Sequence, residues 1–176
     1  MQYIKRYDSP IGELLLASDD VGLTGLWIKD QRYFGYSLDS EHVEADSPVF
    51  DTAFKWLDIY FLGRNPGFLP PIHMIGSEFR KRVWEILLEI PYGQTVTYGS
   101  IAERLAAKMG RERMSAQAVG GAVGHNEISI IIPCHRVVGA NGSLVGYAGG
   151  IDKKIKLLEL EKTDMSKFFL PSGAGR

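Results

Sequence analysis

Short apolar runs, each bounded by turn-forming residues, make up the start of the chain. Runs of this length separated by Asp, Gly, Pro and Ser are typical of strands joined by tight turns. The pattern predicts an antiparallel meander of three strands, Tyr3–Tyr7, Glu13–Ser18 and Leu23–Ile28. The stretch Asp39–Asp46 is acidic and poor in apolar residues, so we expect a solvated loop there.

The next segment changes to helical spacing of its apolar residues. Ser47 followed by Pro48 is a helix start signal, because serine caps the first turn and proline fits its first position. Gly63 ends this predicted helix. The proline-rich stretch Leu69–Ile72 is the best candidate for a linker. We therefore predict two domains, a β-rich domain over residues 1–75 and a second domain over residues 76–176.

The second domain is predicted to be mostly helical. One helix begins at Ser77 and ends before Pro91. Two short helices follow, Tyr98–Ala107 and, after the capping residue Ser115, Ala116–Gly124. Two short helices joined by a tight segment fit a helix-turn-helix, whose second helix usually enters a DNA groove. Many core helix pairs share this pattern, so it leaves DNA binding open.

The last third of the chain contains the only thiol. The apolar run Ile128–Ile132 predicts a buried strand, and Pro133 ends it because proline lacks a backbone donor. Cys134 and His135 come directly after this break. Asp152–Glu161 predicts a closing helix, which gives an α+β fold class for the whole chain.

Composition narrows the function classes without identifying a partner. The chain has 176 residues, of which 45% are hydrophobic and 23% charged, as in ordinary folded proteins. A single cysteine excludes an intrachain disulfide and a Cys-rich zinc module. No apolar run approaches the ~18 residues of a spanning helix, and Met1–Asp8 lacks a signal-peptide profile, so we expect a soluble cytosolic protein. The net charge of −1 is unevenly distributed. Residues 1–75 contain 6 basic and 11 acidic residues, whereas residues 76–176 contain 14 basic and 10 acidic residues.

Cys134 allows two interpretations. A lone cysteine after an apolar run is commonly a small buried hydrophobic residue. A nucleophilic cysteine needs a base or cation to supply thiolate, and His135 is adjacent. Because neighbouring strand residues point to opposite faces, their pairing requires a turn or a bridging water. The other histidines, His42, His73 and His125, show no metal-ligand spacing, so no metal site is predicted.

Several segments together resemble one known family. Ile132–Val138 (IPCHRVV) resembles the active-site signature of the O6-alkylguanine-DNA alkyltransferases, also called methylated-DNA–protein-cysteine methyltransferases. Pro91–Tyr98 resembles the entry to their helix-turn-helix, Ala118–Ala122 their recognition helix, and Gly146–Gly150 their substrate loop. The match is close over residues 77–162. It implies an RNase-H-like N-terminal sheet with a helix, followed by a mostly helical DNA-binding domain.

The resemblance implies a chemistry and a substrate. Cys134 would take the alkyl group from O6-alkylguanine in DNA irreversibly and once per molecule, with no cofactor. His135 would deprotonate Cys134 through a bridging water, Glu161 would orient and charge-stabilise His135, and Tyr98 would donate to the departing guanine. Double-stranded DNA would be bound through its minor groove, with the damaged nucleotide flipped out. We expect a monomer, and activity on O4-alkylthymine is left open.

The remaining site assignments also come from the resemblance. Asn126 would link the recognition helix to the active site, Tyr147 and Ala148 would lie beside the flipped base, and Val137 would bound the pocket through its backbone. Arg136 would brace the site by ion pairing, without a catalytic step. The DNA contacts would come from Ser115, Ala116, Gln117, Ala118, Gly120 and Gly121.

Two features depart from the family's pattern. Many members carry an arginine on the recognition helix where this chain has Gln117, which lacks a fixed charge and a planar guanidinium. This difference puts the details of base flipping in question. Some members bind zinc in the N-terminal domain through cysteines and histidines, and with Cys134 as the sole thiol this chain cannot form that site.

Two other function classes compete with alkyl transfer. A non-catalytic helix-turn-helix protein would bind alkylated DNA without chemistry; relatives of that kind replace the nucleophile, commonly with Trp, whereas Cys134 is present here. A Cys–His hydrolase would need an oxyanion site and an entry for water, and the sequence marks neither.

Overall fold

The structure, a computed structural model, describes residues 1–171 and has the predicted α+β class. Two compact units make up the chain. The first is Met1–Gly76 with Glu127–Ile131, and the second is Ser77–Asn126 with the chain from Ile132 onward. The division into domains over residues 1–75 and 76–176 stays a prediction. These two units place Gly76 and Glu127–Ile131 with the first of them.

A four-stranded sheet forms the framework of the first unit, in the order β3-β2-β1-β4. Its strands are β1 (Gln2–Ser9), β2 (Gly12–Ser18), β3 (Leu23–Ile28) and β4 (His42–Glu44). The first three form the predicted antiparallel meander, with Ser9 opposite Gly12 at the first turn. The prediction of a loop over residues 39–46 is wrong in part, since β4 pairs there with β1 in parallel. Its residues are all exposed, so no apolar pattern marks it.

Helix α1 (Pro48–Phe61) begins where the sequence predicts. The Ser47 side chain accepts a hydrogen bond from the Val49 N–H, and Pro48 occupies the first turn. The helix contacts β1, β2 and β3 and buries Phe50, Leu57 and Tyr60. Burial of each large apolar side chain stabilises the fold by about 1.5–3 kcal/mol, so this face accounts for the position of α1.

The predicted strand over Ile128–Ile132 is wrong, although its residues are buried as expected. Ile128 makes a single bridge with Leu26, and the residues after it form a turn. Ile130 has a φ of 72°, a left-handed conformation that no strand contains and that is rare for a β-branched residue.

The predicted linker Leu69–Ile72 is also part of the first unit. The Leu23 N–H donates to the Pro71 carbonyl, and the His73 N–H donates to the Leu23 carbonyl. These bonds attach the proline-rich stretch to the start of β3. The first unit therefore extends to Gly76.

The second unit contains the predicted helices. They are α2 (Glu78–Leu88), α3 (Tyr98–Lys108), α4 (Ala116–Gly124) and α5 (Ile151–Leu160). Helices α2, α3 and α4 contact one another, and the Trp84 indole donates to the Ala122 carbonyl at 2.9 Å. Thus α3 and α4 form the helix pair that the sequence predicts.

Two very short strands join the helix pair to the segment that contains the thiol. They are β5 (Val96–Thr97) and β6 (Val137–Val138), which pair in parallel. Thr97 caps α3 through its side chain, which accepts from the Ser100 N–H at 3.1 Å. The pairing therefore holds the first residue of α3, Tyr98, close to the chain that leaves Cys134.

Candidate active site

The backbone turns sharply at the only thiol. Cys134, His135 and Arg136 form a single turn of 3₁₀-helix after Pro133. The Cys134 N–H donates to the Ile132 carbonyl at 2.8 Å. A turn at this position is one of the two ways, beside a bridging water, in which Cys134 and His135 can act together. Cys134 is only 4% exposed.

A buried carboxylate holds the two residues that follow the thiol. Glu161 is the capping residue directly after α5 and accepts from His135 Nε2 at 2.6 Å. Its two oxygens also accept from Arg136, from Nε at 2.8 Å and from Nη2 at 3.1 Å. A fourth donor is the Gly93 N–H at 3.0 Å. The carboxylate thus receives four N–H groups and is fully satisfied in a buried position.

Arg136 fixes this carboxylate from the other side. Its Nη1 donates to the Ile90 carbonyl at 2.8 Å, and its guanidinium lies 5.7 Å from the centre of the Tyr92 ring. The bidentate pairing of a guanidinium with a carboxylate restricts both groups to one geometry. Arg136 therefore holds Glu161 in place, and its guanidinium donates hydrogen bonds to Glu161 and Ile90.

The protonation states follow from these contacts. Burial raises the pKa of Glu161, but the hydrogen bonds and charges of His135 and Arg136 outweigh it and hold that pKa well below its usual range. Burial lowers the pKa of His135 more than Glu161 raises it. Because Arg136 is permanently charged, the carboxylate stays ionised beside a neutral imidazole. We assign the Nε2–H donor tautomer to His135, which leaves the lone pair on Nδ1.

Burial of the thiol is opposed by several polar groups. Burial raises the pKa of Cys134, whereas a hydrogen bond from the Asn126 side chain, the charge of Lys154 and hydrogen bonds from the backbone of Cys134 and His135 lower it. Asn126 also donates from Nδ2 to the Ile132 carbonyl at 2.7 Å. It lies two residues after the end of α4, and its side chain contacts both the thiol and the segment before it.

The predicted substrate loop lies against α3. The Tyr98 hydroxyl is 3.4 Å from the carbonyl oxygens of both Val145 and Gly146, which are long, weak hydrogen bonds. Burial and the charge of Cys134 raise the pKa of Tyr98 to about 12. Tyr98 is thus a neutral phenol at pH 7 that can donate a hydrogen bond.

The other three predicted substrate contacts differ in their surroundings. The Tyr147 hydroxyl is buried without a hydrogen-bond partner within residues 1–171, and burial together with the charges of Cys134 and Glu161 raises the pKa of Tyr147. Ala148 is half-buried. Val137 is buried, and its carbonyl accepts from Lys154.

The predicted DNA-binding residues lie at the cap and in the first two turns of α4. Ser115 caps the helix and accepts from the Ala118 N–H at 3.1 Å. Most of the set is exposed, and Gly120 is half-buried, 3.9 Å from the Tyr98 ring at the position a Cβ would take. Added Cβ atoms at Gly121 would meet nothing. The exposed residues are Ser115, Ala116, Gln117, Ala118 and Gly121.

A buried lysine that the sequence motifs do not predict also lies at the site. Lys154 is fully buried and donates three hydrogen bonds beside the active site. The signal that could have found it is its position on α5, where it lies between the buried Ile151 and Leu157 at helical spacing. A lysine within an apolar stripe is expected to find partners inside the protein.

Three further observations concern a groove, metal ligands and membrane-spanning helices. A groove of about 730 Å³ lies beside α3 and the start of α4, and its lining does not include Cys134. Within the described part of the chain, no three His, Cys, Asp or Glu side chains converge as metal ligands. In the same residues, no helix has the length and apolar character needed to cross a bilayer.

Comparison with known proteins agrees over both units. The family model described as "6-O-methylguanine DNA methyltransferase, DNA binding domain" matches residues 78–163. The model for the ribonuclease-like domain of the same family matches residues 3–72, as the RNase-H-like prediction expects. Together the two models span most of the chain.

Individual relatives support the same assignment. The methylated-DNA–protein-cysteine methyltransferase of Mycobacterium bovis is 44% identical over 163 residues, 93% of this chain and 94% of the relative. The one from Methanosarcina acetivorans is 43% identical, covering 90% of this chain and 97% of the relative. The crystal structure of Mycobacterium tuberculosis O6-methylguanine methyltransferase has a TM-score of 0.77 and 41% identity, covering 98% of both chains. This chain belongs to the 6-O-methylguanine DNA methyltransferase family.

Proposed function

We propose that this protein repairs DNA by transferring the alkyl group of O6-alkylguanine to Cys134 Sγ. The observation that carries the proposal is the buried arrangement of Cys134 next to a neutral His135, which an ionised Glu161 holds in one tautomer. A thiolate needs such a base, and a buried structural cysteine does not. The structure of the Mycobacterium tuberculosis protein solved with DNA, 42% identical with a TM-score of 0.78 over 94% of both chains, supports DNA as the substrate.

The proposed reaction is a single displacement. His135 Nδ1 takes the thiol proton through a bridging water, and the Cys134 sulfur attacks the alkyl carbon. A C–S bond forms while the C–O6 bond breaks, and the electron pair leaves with guanine. Tyr98 then donates to the developing guanine anion, which lowers the cost of its departure. The product thioether has no route back to the thiol, so each molecule reacts once and needs no cofactor.

The exposed face of α4 is the proposed DNA-binding surface. An alkylated O6 inside a base stack is out of reach, so the nucleotide has to be flipped out for the reaction. Most side chains at the start of this helix are small, which lets the helix approach the minor groove closely. The proposed contacts come from Ser115, Ala116, Gln117, Ala118, Gly120 and Gly121. Asn126 connects this helix to the active site, while Val137, Tyr147 and Ala148 bound the position of the flipped base.

The proposal includes a cellular setting. A reactive free thiol is kept reduced in the cytosol and is liable to oxidation outside it. We therefore place the protein in the cytoplasm, acting as a monomer on double-stranded DNA. One active site and one recognition helix per chain are sufficient for one transfer.

The alternative of a DNA-binding module without chemistry is tested directly. The protein is mixed with a duplex that contains O6-methylguanine, and the bases of the duplex are then analysed. We expect guanine to be restored at the modified position. A protein that binds this duplex and leaves O6-methylguanine intact would be a non-catalytic binder.

The role of Gln117 can be measured separately from the chemistry. Replacing Gln117 by Ala should slow transfer from methylated duplex DNA at least about fivefold, because Gln117 can fill part of the gap in the base stack and hydrogen-bond the orphaned base, and a hydrogen bond contributes about 0.5–1.5 kcal/mol. Transfer from free O6-benzylguanine should be unchanged, since the free base needs no unstacking. Single-turnover rates on both substrates give the comparison, and Gln117→Arg should at least match the unaltered protein on duplex DNA. Equal effects on both substrates, or none, would show that Gln117 is not the flipping residue.

A further inference from the structure

A fully buried lysine connects the two sides of the active site. Lys154 Nζ donates to the carbonyl oxygens of Val137 at 2.6 Å, Val145 at 3.0 Å and Gly146 at 3.3 Å. Val137 belongs to β6, which follows the turn of Cys134. Val145 and Gly146 begin the loop that contains Tyr147 and Ala148. An ammonium has three N–H donors, so each of them has an acceptor here.

The charge of this lysine matters as much as its hydrogen bonds. Its three acceptors are neutral carbonyls, and the residue is 0% exposed. Burial lowers the pKa of Lys154 to about 8, while the charge of Cys134 raises it. In the same way, the ammonium lowers the pKa of Cys134, which burial raises. An opposite charge nearby always favours the ionised form of its partner.

We infer that Lys154 is a positioning residue for alkyl transfer, one that ties the substrate loop to β6 and supplies the positive charge favouring the Cys134 thiolate. The inference rests on the proposed function for its biological meaning. Its effect on the thiol, however, can be measured without DNA.

The other ionisable groups around the thiol carry no net positive charge that could favour the thiolate. Arg136 and Glu161 form a pair of opposite charges, and His135 is neutral. Burial raises the pKa values of Tyr98 and Tyr147, so both phenols are neutral at pH 7. Among the described residues acting on Cys134, Lys154 therefore carries the charge that its neighbours do not offset.

The test compares Lys154→Met with Lys156→Met. Methionine keeps the length and apolar stem of lysine without its charge, and Lys156 is an exposed residue of the same helix. The rate of alkylation by iodoacetamide is measured against pH, and it reports on one site because Cys134 is the only cysteine. The acid limb is the part of this profile in which the rate falls as the thiolate is protonated. In Lys154→Met the acid limb should move up by about one pH unit or more. At pH 7 the thiol should then react about tenfold more slowly, whereas Lys156→Met should match the unaltered protein.

A conservative variant separates the charge from the hydrogen bonds. Lys154→Arg keeps the positive charge, but a planar guanidinium cannot place its donors on the same three carbonyls. We expect its acid limb to return close to that of the unaltered protein. Its transfer from methylated duplex DNA should stay slow, because the loop is no longer tied to β6. An acid limb equally shifted in both variants would show that charge is not what Lys154 supplies.

A measurement on the unaltered protein covers the case in which the variants do not fold. With ¹³C at the lysine ε-carbons, one resonance should titrate near the pKa of about 8 given for Lys154. Its pKa should fall further once iodoacetamide converts Cys134 to a neutral thioether. The inference is overturned if all lysines titrate together near ~10.4, or if alkylation changes none of them.

The proposed function and this inference fail in different ways. A protein that shows the lysine-dependent thiol reactivity but takes no methyl from DNA contradicts the function alone. A protein that repairs DNA with an unshifted acid limb in Lys154→Met contradicts the inference alone. If alkylation of Cys134 in Lys154→Met is slower by the same factor at every pH, the role of Lys154 is structural and the charge argument is overturned.

Discussion

A Cys134→Ser variant will bind methylated duplex DNA with unchanged affinity and will remove no methyl group from it. Serine is nearly isosteric with cysteine, and the residue is buried, so the DNA-binding face of α4 keeps its shape. A hydroxyl does not ionise in the range where His135 acts as a base, whereas a thiol does.

Two measurements on the same preparation check this prediction. Fluorescence anisotropy with a labelled duplex gives the affinity, and transfer of an isotopically labelled methyl group gives the reaction. Methyl found on the Ser variant would mean that Cys134 is not the acceptor. A large loss of affinity would mean that the thiol takes part in DNA binding.

A Glu161→Gln variant will lose most of its transfer rate and part of its stability. The carboxylate accepts four N–H groups, two on each oxygen, from His135, Arg136 and Gly93. An amide has one oxygen, so its NH₂ would face N–H donors in a buried site. Breaking a buried ion pair in this way costs about 3–5 kcal/mol.

The rate falls for a related reason. Without the carboxylate, His135 loses the contact that fixes its tautomer and leaves Nδ1 as the base. Positioned general bases contribute about 10²–10⁴-fold to rates, so we expect transfer at least about a hundredfold slower. DNA affinity should be kept, and Glu159→Gln, an exposed change on the same helix, should alter neither stability nor rate. Single-turnover transfer and denaturant unfolding measure the two effects, and an unchanged transfer rate would remove Glu161 from the proposed mechanism.

Local sequence signals predict the helices and the first three strands well. Ser47 before Pro48, Ser77 and Ser115 each cap a helix through a side chain that accepts from the following turn. Because these signals act within a few residues, they are readable without tertiary information. The strand β4 has no such signal, since it consists of three exposed residues that depend on β1 for pairing.

The error at residues 128–132 has a different origin. A short apolar run fits a buried strand and a buried turn equally well, because burial and backbone conformation are separate properties. The positive φ of Ile130 has no sequence marker, since such angles usually fall on Gly or Asn.

The site is predictable in its residues but not in its contacts. Pro133 predicts the break before Cys134, whereas the pairing of His135 with Glu161 joins residues far apart in sequence. The role of Glu161 therefore comes from the family resemblance, because its sequence position alone indicates a solvated glutamate at a helix end. The sequence does not predict the contacts of Lys154, because its three acceptors are backbone carbonyls that no side-chain pattern reveals.

The most direct test of alkyl transfer is a count of methyl groups on the protein. The protein is incubated with an excess of duplex containing O6-methylguanine, and its intact mass and peptide masses are measured until the reaction stops. The proposed mechanism predicts one added methyl group per molecule, on the peptide that contains Cys134, and repair that ends at that stoichiometry. Sustained turnover, or methyl on any other peptide, would contradict it.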